Sequence, residues 1–380
     1  MRNSRRSEVA PFIVMDVMEA ARAAEAAGRH IIHMEVGQPG TPAPAGARAA
    51  LASAMEEDAM GYTVALGLPQ LRARIAELYG QWYDIDLAPS RVIVTPGSSG
   101  AFILAFTSLF DTGARVGIGA PGYPSYRQIL SALDLTPVDI QTRAENRLQP
   151  APDDLEGLRL DGLMVASPAN PSGTMLDRAA LGALMEAAAG QGASFISDEI
   201  YHGIEYEAKA VSALEISDDC YVINSFSKYF SMTGWRVGWM VVPEDHVRVI
   251  ERLAQNLFIC PPHASQIAAL AAMDCTAELE ANMQVYRANR LLMLEGLPRA
   301  GFTKIAPPDG AFYVYADVSD LTEDSRAFAA EILEKAGVAV TPGLDFDPVR
   351  GAGTLRFSYA RSTADIEEGL ARLTAFMAAR

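Results

Sequence analysis

Short, continuous apolar segments alternate with longer Ala-rich segments along the first two thirds of the chain. The apolar segments have the length of strands and are bounded by Gly, Pro or Asp; they cover residues 92–95, 116–118, 163–167, 194–197, 221–225 and 237–242. Runs of this kind are typical of strands buried on both faces of a mainly parallel sheet. A helix is expected between two of them at 177–190, with Asp177 as its N-cap and Gly190 or Gly192 as its stop. The alternation predicts a layered α/β domain.

The last third of the chain has a different pattern. A long helical segment at 277–297 is followed by stretches rich in β-formers at 310–316, 338–341 and 354–360. The final helix has a start signal at Ser362 and Asp365. These features predict a smaller α+β domain packed on the large one. The first 40 residues hold a helical segment and then a Pro- and Gly-containing segment.

Composition narrows the class of protein. A chain of 380 residues fits about two domains. The net charge of −16, without a basic run beyond residues 2–6, disfavours nucleic acid and anionic membrane surfaces as partners. Three cysteines without C-x-x-C spacing predict neither a metal cluster nor a disulfide framework. No stretch has the length of a membrane span and no signal peptide is evident, so we expect the cytoplasm.

Lysine occurs only four times, and Lys228 lies in the segment Ser225-Phe226-Ser227-Lys228 directly after an apolar run. A lysine at the carboxyl end of a core strand can serve as a Schiff-base nucleophile, although most lysines are ordinary surface residues. The segment also matches S-x-x-K, the motif of serine-acylating enzymes. That interpretation needs S-D-N and K-T-G elements, and neither occurs in the sequence.

The segment 117–122 matches G-x-G-x-x-G, with Asp139 as a possible ribose-binding acid. The context disfavours a nicotinamide site, because Gly117 lies inside the strand run and two prolines, Pro121 and Pro124, stand where the helix must begin.

Three further segments follow predicted strands. Gly97-Ser98-Ser99-Gly100 opens an apolar helix at 101–110 and predicts either an anion site or plain helix capping. Asp198 and Tyr201 in the segment 198–201 predict either a ligand site or a helix N-cap. The segment 169–173, which contains Asn-Pro and Ser-Gly, predicts either a ligand site or a turn. Together with Lys228, these segments offer an anion cradle, an amide, an acid with a tyrosine and a lysine at one sheet edge. Such a set matches a phosphorylated, carbonyl-reactive cofactor.

The ordered motifs resemble those of class I/II aminotransferases, the pyridoxal-phosphate enzymes of fold type I in the aspartate aminotransferase superfamily. The resemblance covers nearly the whole chain and rests on Gly37-Gln38-Pro39, Gly61-Tyr62, Gly67-Leu68-Pro69, Pro96-Gly97-Ser98-Ser99-Gly100, Pro121-Gly122-Tyr123-Pro124, Asn170-Pro171-Ser172-Gly173, Asp198-Glu199-Ile200-Tyr201, Ser225-Phe226-Ser227-Lys228, Gly234-Trp235-Arg236-Val237-Gly238 and Arg356-Phe357-Ser358. It implies a seven-stranded, mainly parallel sheet flanked by helices. It also implies an N-terminal arm at 1–45, a large cofactor-binding domain at 46–280 and a small domain at 281–380.

The resemblance implies roles around pyridoxal 5′-phosphate. Lys228 would form the Schiff base and carry the substrate proton, and Asp198 would pair with the ring nitrogen. Asn170 and Tyr201 would hydrogen-bond the phenolic oxygen, and Tyr123 would stack on the ring. The phosphate ligands would be Gly97, Ser98, Ser99, Ser225 and Arg236.

Substrate binding and assembly are implied in the same way. Arg356 would take the α-carboxylate, with Asn170 and Gly37 beside the substrate. Tyr62 would reach the phosphate of a neighbouring subunit, which implies a homodimer. The implied reaction is a two-step transamination between an α-amino acid and a 2-oxo acid, with no metal.

The sequence departs from the family pattern at three positions. Gln38 replaces a more usual acid, Ser172 replaces a threonine, and Ser99 stands where some aspartate aminotransferases have a lysine for a second carboxylate. The serine places an aspartate-specific enzyme in doubt. A carbon–sulfur lyase on the same fold and, more distantly, a ligand-sensing regulator stay open as alternatives.

Overall fold

The computed structural model describes all 380 residues and contains eleven α-helices and thirteen strands. The helices are α1 Ile13–Ala26, α2 Ala45–Glu57, α3 Pro69–Tyr83, α4 Gly97–Leu109, α5 Pro124–Ala132, α6 Arg178–Gly190, α7 Val247–Leu257, α8 His263–Ala272, α9 Thr276–Arg299, α10 Ser325–Ala336 and α11 Thr363–Ala378. The strands are β1 Ile32–His33, β2 Val92–Thr95, β3 Arg115–Ala120, β4 Thr136–Gln141, β5 Gly162–Ala166, β6 Ser194–Asp198, β7 Tyr221–Ser225, β8 Gly238–Val241, β9 Lys304–Ala306, β10 Tyr313–Asp317, β11 Val338–Ala339, β12 Thr341–Pro342 and β13 Thr354–Ser358.

The main sheet has seven strands in the order β2-β8-β7-β6-β5-β3-β4. Only β8 runs antiparallel to its neighbours, and the remaining pairs are parallel. The predicted α/β class and the mainly parallel seven-stranded sheet are confirmed. Every residue of β2, β7 and β8 is buried, as expected for strands covered by helices on both faces.

The register of this sheet brings the carboxyl ends of its central strands together. Ala166 at the end of β5 pairs with Asp198 at the end of β6, and Asp198 pairs with Ile223 of β7. The loops that carry Asn170 and Lys228 therefore leave the sheet at the same edge as Asp198. This is the edge at which open α/β sheets bind ligands.

Local capping signals set two of the helix starts as predicted. The Asp177 carboxylate accepts the backbone N–H of Ala180 at 2.8 Å and begins α6, and Ser362 Oγ accepts from Asp365 at 3.1 Å and begins α11. The prediction for α4 was wrong at its start. The helix was expected at 101–110 but begins four residues earlier, at Gly97, so the Gly-Ser-Ser-Gly segment that opens it forms its first turn.

A second, antiparallel sheet has the order β12-β13-β10-β9, and Arg356 of β13 pairs with Tyr315 of β10 and Thr341 of β12. The N-terminal segment is attached to this region, because β1 pairs in parallel with β11 through Ile32 and Val338. The division of the chain at residues 45 and 280 stays a prediction. No helix is long and apolar enough to cross a bilayer.

Candidate active site

A cavity of about 270 Å³ lies at the carboxyl ends of the main-sheet strands, between this edge, β13 and the start of α1. It collects ten of the thirteen residues that the sequence pointed to. They are Gly37, Ser98, Ser99, Tyr123, Asn170, Asp198, Tyr201, Lys228, Arg236 and Arg356. We call the part of the cavity formed by Asp198, Lys228, Arg236 and Arg356 the sheet end. The apolar part of the lining formed by Phe12, Val14 and Met18 is called the helix wall.

Lys228 points into the cavity and donates a hydrogen bond from Nζ to the backbone oxygen of Gly37 at 2.7 Å. Burial, followed by the positive charges of Arg356 and Arg236, lowers the pKa of Lys228 to about 7, although Asp198 opposes the shift. A large fraction of the amine is therefore neutral near pH 7. A neutral amine is the form that attacks a carbonyl or takes up a proton.

Asp198 is buried at the end of β6, and both of its carboxylate oxygens accept hydrogen bonds. Oδ1 accepts from the backbone N–H of Ile200 at 3.0 Å, and Oδ2 accepts from the phenol of Tyr126. Burial raises the pKa of Asp198 to about 6, and the bond from Tyr126 limits the rise. No helix follows Asp198, so the alternative of a helix N-cap is wrong.

An anion cradle lies at the N-terminus of α4. Gly97 has φ +69° and stands close beneath the guanidinium of Arg236, which a Cβ at this position would strike. Arg236 Nη1 donates to the backbone oxygen of Thr233 at 2.9 Å. No side chain caps α4, so plain capping by Ser98 or Ser99 is excluded and both hydroxyls are available to a ligand.

Arg356 is buried and fixed on several sides. Nη1 donates to Asn170 Oδ1 at 2.9 Å, and Nη2 donates to the backbone oxygen of Glu35 and to Thr341 Oγ1. The guanidinium carbon lies 4.4 Å from the ring centroid of Tyr313. Its Nε has no hydrogen-bond partner although it is buried. An unpaired buried donor is costly, so this edge of the guanidinium suits an incoming acceptor such as a carboxylate.

Aromatic side chains line the space between these charged groups. Tyr123 and Tyr126 meet edge to face with ring centroids 5.2 Å apart. On the other side, the hydroxyls of Tyr201 and Tyr313 are 2.7 Å apart. The cavity therefore combines aromatic surfaces with an acid, an amine and an anion cradle.

Three residues that the sequence pointed to do not line the cavity. Gly97 lies beneath Arg236. Ser225 is buried and donates to the backbone oxygen of Val237 at 3.1 Å. Tyr62 is 83% exposed on the surface of the chain.

Several lining residues escaped the sequence analysis. Ser227 and Thr233 line the cavity and contact two of the expected phosphate ligands: Ser227 Oγ accepts from Ser225 Oγ, and the Thr233 backbone oxygen accepts from Arg236. Tyr126 follows Tyr123 by three residues, and this spacing, one helical turn, is the signal that could have identified it. The helix wall was missed altogether, because apolar residues at the start of an amphipathic helix normally indicate core packing.

Comparison with known proteins shows what this arrangement belongs to. Residues 29–373 match the family "Aminotransferase class I and II". The valine–pyruvate aminotransferase of Mycobacterium tuberculosis is 45% identical over 98% of this chain and 97% of its own. The chain belongs to the class I and II aminotransferase family. The predicted family, enzyme class and transamination activity are thereby confirmed, and nothing favours the carbon–sulfur lyase.

Solved structures of aminotransferases have the same fold as this chain. A candidate aminotransferase from Silicibacter pomeroyi is 77% identical, covers both chains completely and superposes with a TM-score of 0.96. The aspartate aminotransferase of Thermus thermophilus, crystallised with maleate, is 30% identical, with a TM-score of 0.92 over 99% of this chain and 100% of its own.

Pyridoxal 5′-phosphate is the cofactor of this family, and the cavity fits it. The fit rests on unmatched groups in the structure: the uncapped N-terminus of α4 beside Arg236 suits a phosphate, and the partly neutral amine of Lys228 suits an aldehyde. The aromatic surface of Tyr123 suits a planar ring.

Proposed function

We propose that this aminotransferase transfers the amino group of an apolar α-amino acid of about the size of valine to a small 2-oxo acid such as pyruvate. The valine–pyruvate aminotransferase of M. tuberculosis, with 45% identity, supports this donor and acceptor pair. The helix wall supports it independently, because Phe12, Val14 and Met18 offer an apolar surface to the substrate side chain.

The observation that carries the proposal is the small number of cationic groups in the cavity. Lys228, Arg236 and Arg356 are the only cations that line it. The reaction uses each of them, for the cofactor aldehyde, the phosphate and the α-carboxylate respectively. A donor with a second carboxylate would have to desolvate that charge against the helix wall without a partner in this chain, which is unfavourable.

When bound, the cofactor would supply an electron-withdrawing ring. We assign the chain's residues the following tasks. Lys228 would hold the cofactor at its aldehyde through Nζ and would carry the α-proton of the substrate. Asp198 would keep the ring nitrogen in its protonated form, and Tyr123 would hold the ring face.

The remaining residues orient the ligands. Asn170 and Tyr201 would donate hydrogen bonds to the phenolic oxygen, and Arg356 would bind the α-carboxylate beside Asn170 and Gly37. The phosphate is held by a group of donors at one edge of the sheet. Ser98, Ser99 and Arg236 line the cavity, and we add Ser227 and Thr233 because they line it too. The Gly97 backbone would contribute from beneath Arg236. Ser225, whose hydroxyl donates to Val237 and accepts from the Ser227 N–H, would support the phosphate site through Ser227.

A homodimer is part of the proposal, with Tyr62 reaching the neighbouring cavity. Exposed apolar side chains support it: Tyr62, Val64, Leu257 and Ile259 are each 50% or more exposed. Tyr62 and Val64 lie in a segment held near α8, where His263 contacts the backbone oxygen of Gly61 at 3.0 Å. Large exposed apolar side chains are typical of a surface that another chain covers. A monomeric mass in analytical ultracentrifugation would contradict the dimer.

We also propose a cytoplasmic location. Its support is that Cys220, Cys260 and Cys275 are all free thiols, as expected in a reducing compartment. Recovery of the protein in an oxidising compartment upon cell fractionation would contradict it.

The test is a single half-reaction followed without any acceptor. Enzyme loaded with cofactor is mixed with alanine, valine, leucine, aspartate or glutamate, and the released 2-oxo acid is quantified by chromatography. A transaminase stops at one equivalent of 2-oxo acid per active site. We expect kcat/KM for valine, measured with pyruvate present, to exceed that for aspartate at least roughly tenfold.

The same assay separates the alternatives. Preference for aspartate or glutamate would overturn the proposed donor class while leaving transamination intact. Continued release of pyruvate and ammonia from cystathionine, far beyond one equivalent and without an acceptor, would instead indicate the lyase.

A further inference from the structure

We propose that Asp345 is a positioning residue for donor specificity, because it fixes the start of α1 against the cavity and so forms the helix wall. The proposal rests on the proposed function, since it concerns the side-chain subsite of the same cavity. Asp345 itself does not line the cavity. Asp345 also interacts electrostatically with Arg356, but that interaction affects the α-carboxylate that every donor shares. An effect that depends on the donor side chain must therefore pass through the helix that Asp345 holds.

The contact between Asp345 and α1 is a helix cap supplied from a distant part of the chain. Oδ1 accepts the backbone N–H of Ile13 at 3.0 Å, and Oδ2 accepts that of Val14 at 3.1 Å. The preceding residue, Phe12, provides no side-chain cap of its own. The first N–H groups of a helix lack partners within the helix, and a carboxylate at this position satisfies them and complements the helix dipole.

Burial makes this cap the strongest polar attachment of the helix start. Asp345 lies in the turn Gly343–Asp345 after β12 and is 6% exposed. The other polar attachments nearby are exposed to solvent: Ala10 donates to Gln128 Oε1 at 3.0 Å, and Asp16 lies 3.7 Å from Arg326. Solvent-exposed hydrogen bonds and ion pairs contribute little to stability, because water competes for the same groups, so the two bonds of Asp345 are the principal polar restraint.

The residues next to the capped N–H groups are those of the helix wall. Phe12 packs edge to face on Tyr123, with ring centroids 5.9 Å apart. Val14, whose N–H is bonded to Asp345, is 4% exposed and faces the cavity together with Met18, one turn further along. Loss of the hydrogen bonds from Asp345 would therefore free the start of α1, which carries the helix-wall residues proposed to contact the substrate side chain.

This arrangement predicts an effect that depends on the length of the donor side chain. Alanine projects only one methyl group beyond its α-carbon and makes little use of the wall. Valine adds two methyl groups that gain from contact with it. We therefore expect Asp345→Ala to lower the valine-to-alanine ratio of kcat/KM roughly fivefold to tenfold, through KM for valine.

The experiment uses the full-length enzyme loaded with cofactor. Wild type, Asp345→Ala and Asp345→Asn are assayed with alanine, 2-aminobutyrate and valine, whose side chains increase by one carbon from each donor to the next. Hydrogen–deuterium exchange over residues 10–20 reports the state of α1 independently of activity. We expect exchange to accelerate in Asp345→Ala and, to a smaller degree, in Asp345→Asn, whose single side-chain oxygen can still accept one N–H.

The matched control is Asp347→Asn. Asp347 is also a buried acid of this loop, but it binds Arg350 and the backbone of Val349, with no contact to α1. We expect it to change neither the donor ratio nor exchange over 10–20. Met18→Ala removes part of the wall directly and should lower the valine-to-alanine ratio even if Asp345→Ala does not fold.

Two results would overturn the proposal. Unchanged exchange in Asp345→Ala would show that Asp345 does not hold the helix. Faster exchange with an unchanged ratio, or an unchanged ratio in Met18→Ala, would show that the helix wall does not select the donor. A wild-type preference for aspartate would refute the proposed function instead, and the exchange result would still test the anchor.

Discussion

The sheet end of the cavity is held by the backbone of several strands, whereas the helix wall depends on one helix and a distant cap. Asp198 and Arg356 at the sheet end are each 2% exposed and lie on paired strands. In α1 only Val14 and Ala21 are buried. The difference suggests that the groups common to every substrate are built into the core, while the surface that contacts the variable side chain is attached loosely.

The largest effect should come from breaking the sheet end at Lys228. We expect Lys228→Ala to reduce transamination more than about 10³-fold, because the residue is both nucleophile and proton carrier. The loss should be similar for alanine and valine, unlike changes in the helix wall. Borohydride treatment followed by mass spectrometry should find the cofactor attached to wild type and not to the variant.

The exposed residue Lys209 offers a matched control, and Lys209→Ala should keep both activity and the covalent attachment. A reducible adduct at a different lysine in Lys228→Ala would contradict the assignment.

Much of the sheet end could be predicted from the sequence because each strand leaves a local signal. The apolar runs 92–95 and 221–225 coincide with β2 and β7, so the residues that follow them could be placed at one edge. Contacts between distant segments left no such signal. The bond between Arg356 and Asn170, which are 186 residues apart, depends on how the two sheets pack.

The helix wall could not be predicted for the same reason. A helical segment in the first 40 residues was expected, but its position over the cavity depends on Asp345, more than 330 residues away in sequence. The helix after β2 was expected at 101–110, whereas α4 begins at Gly97. Within the structure, the positive φ of Gly97 brings the backbone under Arg236.

A smaller and pH-dependent effect is expected from Tyr126→Phe, which sharpens the comparison within the sheet end. The variant loses the phenolic hydrogen bond that keeps the pKa of Asp198 from rising further. Because its pKa then increases, Asp198 is ionised less at low pH, and activity should fall most there. We expect a loss of roughly tenfold near pH 6 that shrinks as the pH increases, equal for alanine and valine.

The pH profiles of kcat/KM for wild type and Tyr126→Phe provide the measurement. Tyr79→Phe is the control, since Tyr79 is an equally buried tyrosine that accepts a hydrogen bond from Trp239 and does not line the cavity. A loss in Tyr126→Phe that is the same at every pH would mean that Tyr126 serves packing alone.

The smallest effect on activity is expected at Glu199, a buried residue next to Asp198 that does not line the cavity. Its replacement should instead change the free energy of unfolding. Its Oε1 accepts hydrogen bonds from Ala213 N–H at 2.8 Å and from the hydroxyls of Ser197 and Ser212. Oε2 is buried without a hydrogen-bond partner and lies 3.6 Å from Nδ1 of His202, whose pKa is lowered to about 4 by burial and which is therefore neutral. Burial raises the pKa of Glu199 to about 8. The folded chain therefore holds this proton more tightly than the unfolded chain does, and the associated stability is present below about pH 4.5 and is lost as the pH rises through 8.

Glu199→Gln cannot ionise, so its free energy of unfolding should decline less than that of wild type between pH 6.5 and 8.5. The difference should reach about 1–3 kcal/mol at the alkaline end. Thermal denaturation across this range measures it, with Glu186→Gln on the exposed side of α6 as the control. Parallel curves for wild type and Glu199→Gln would mean that Glu199 is already ionised in the folded protein. The buried surroundings of Glu199 would then stabilise a carboxylate even though only one of its two oxygens accepts hydrogen bonds.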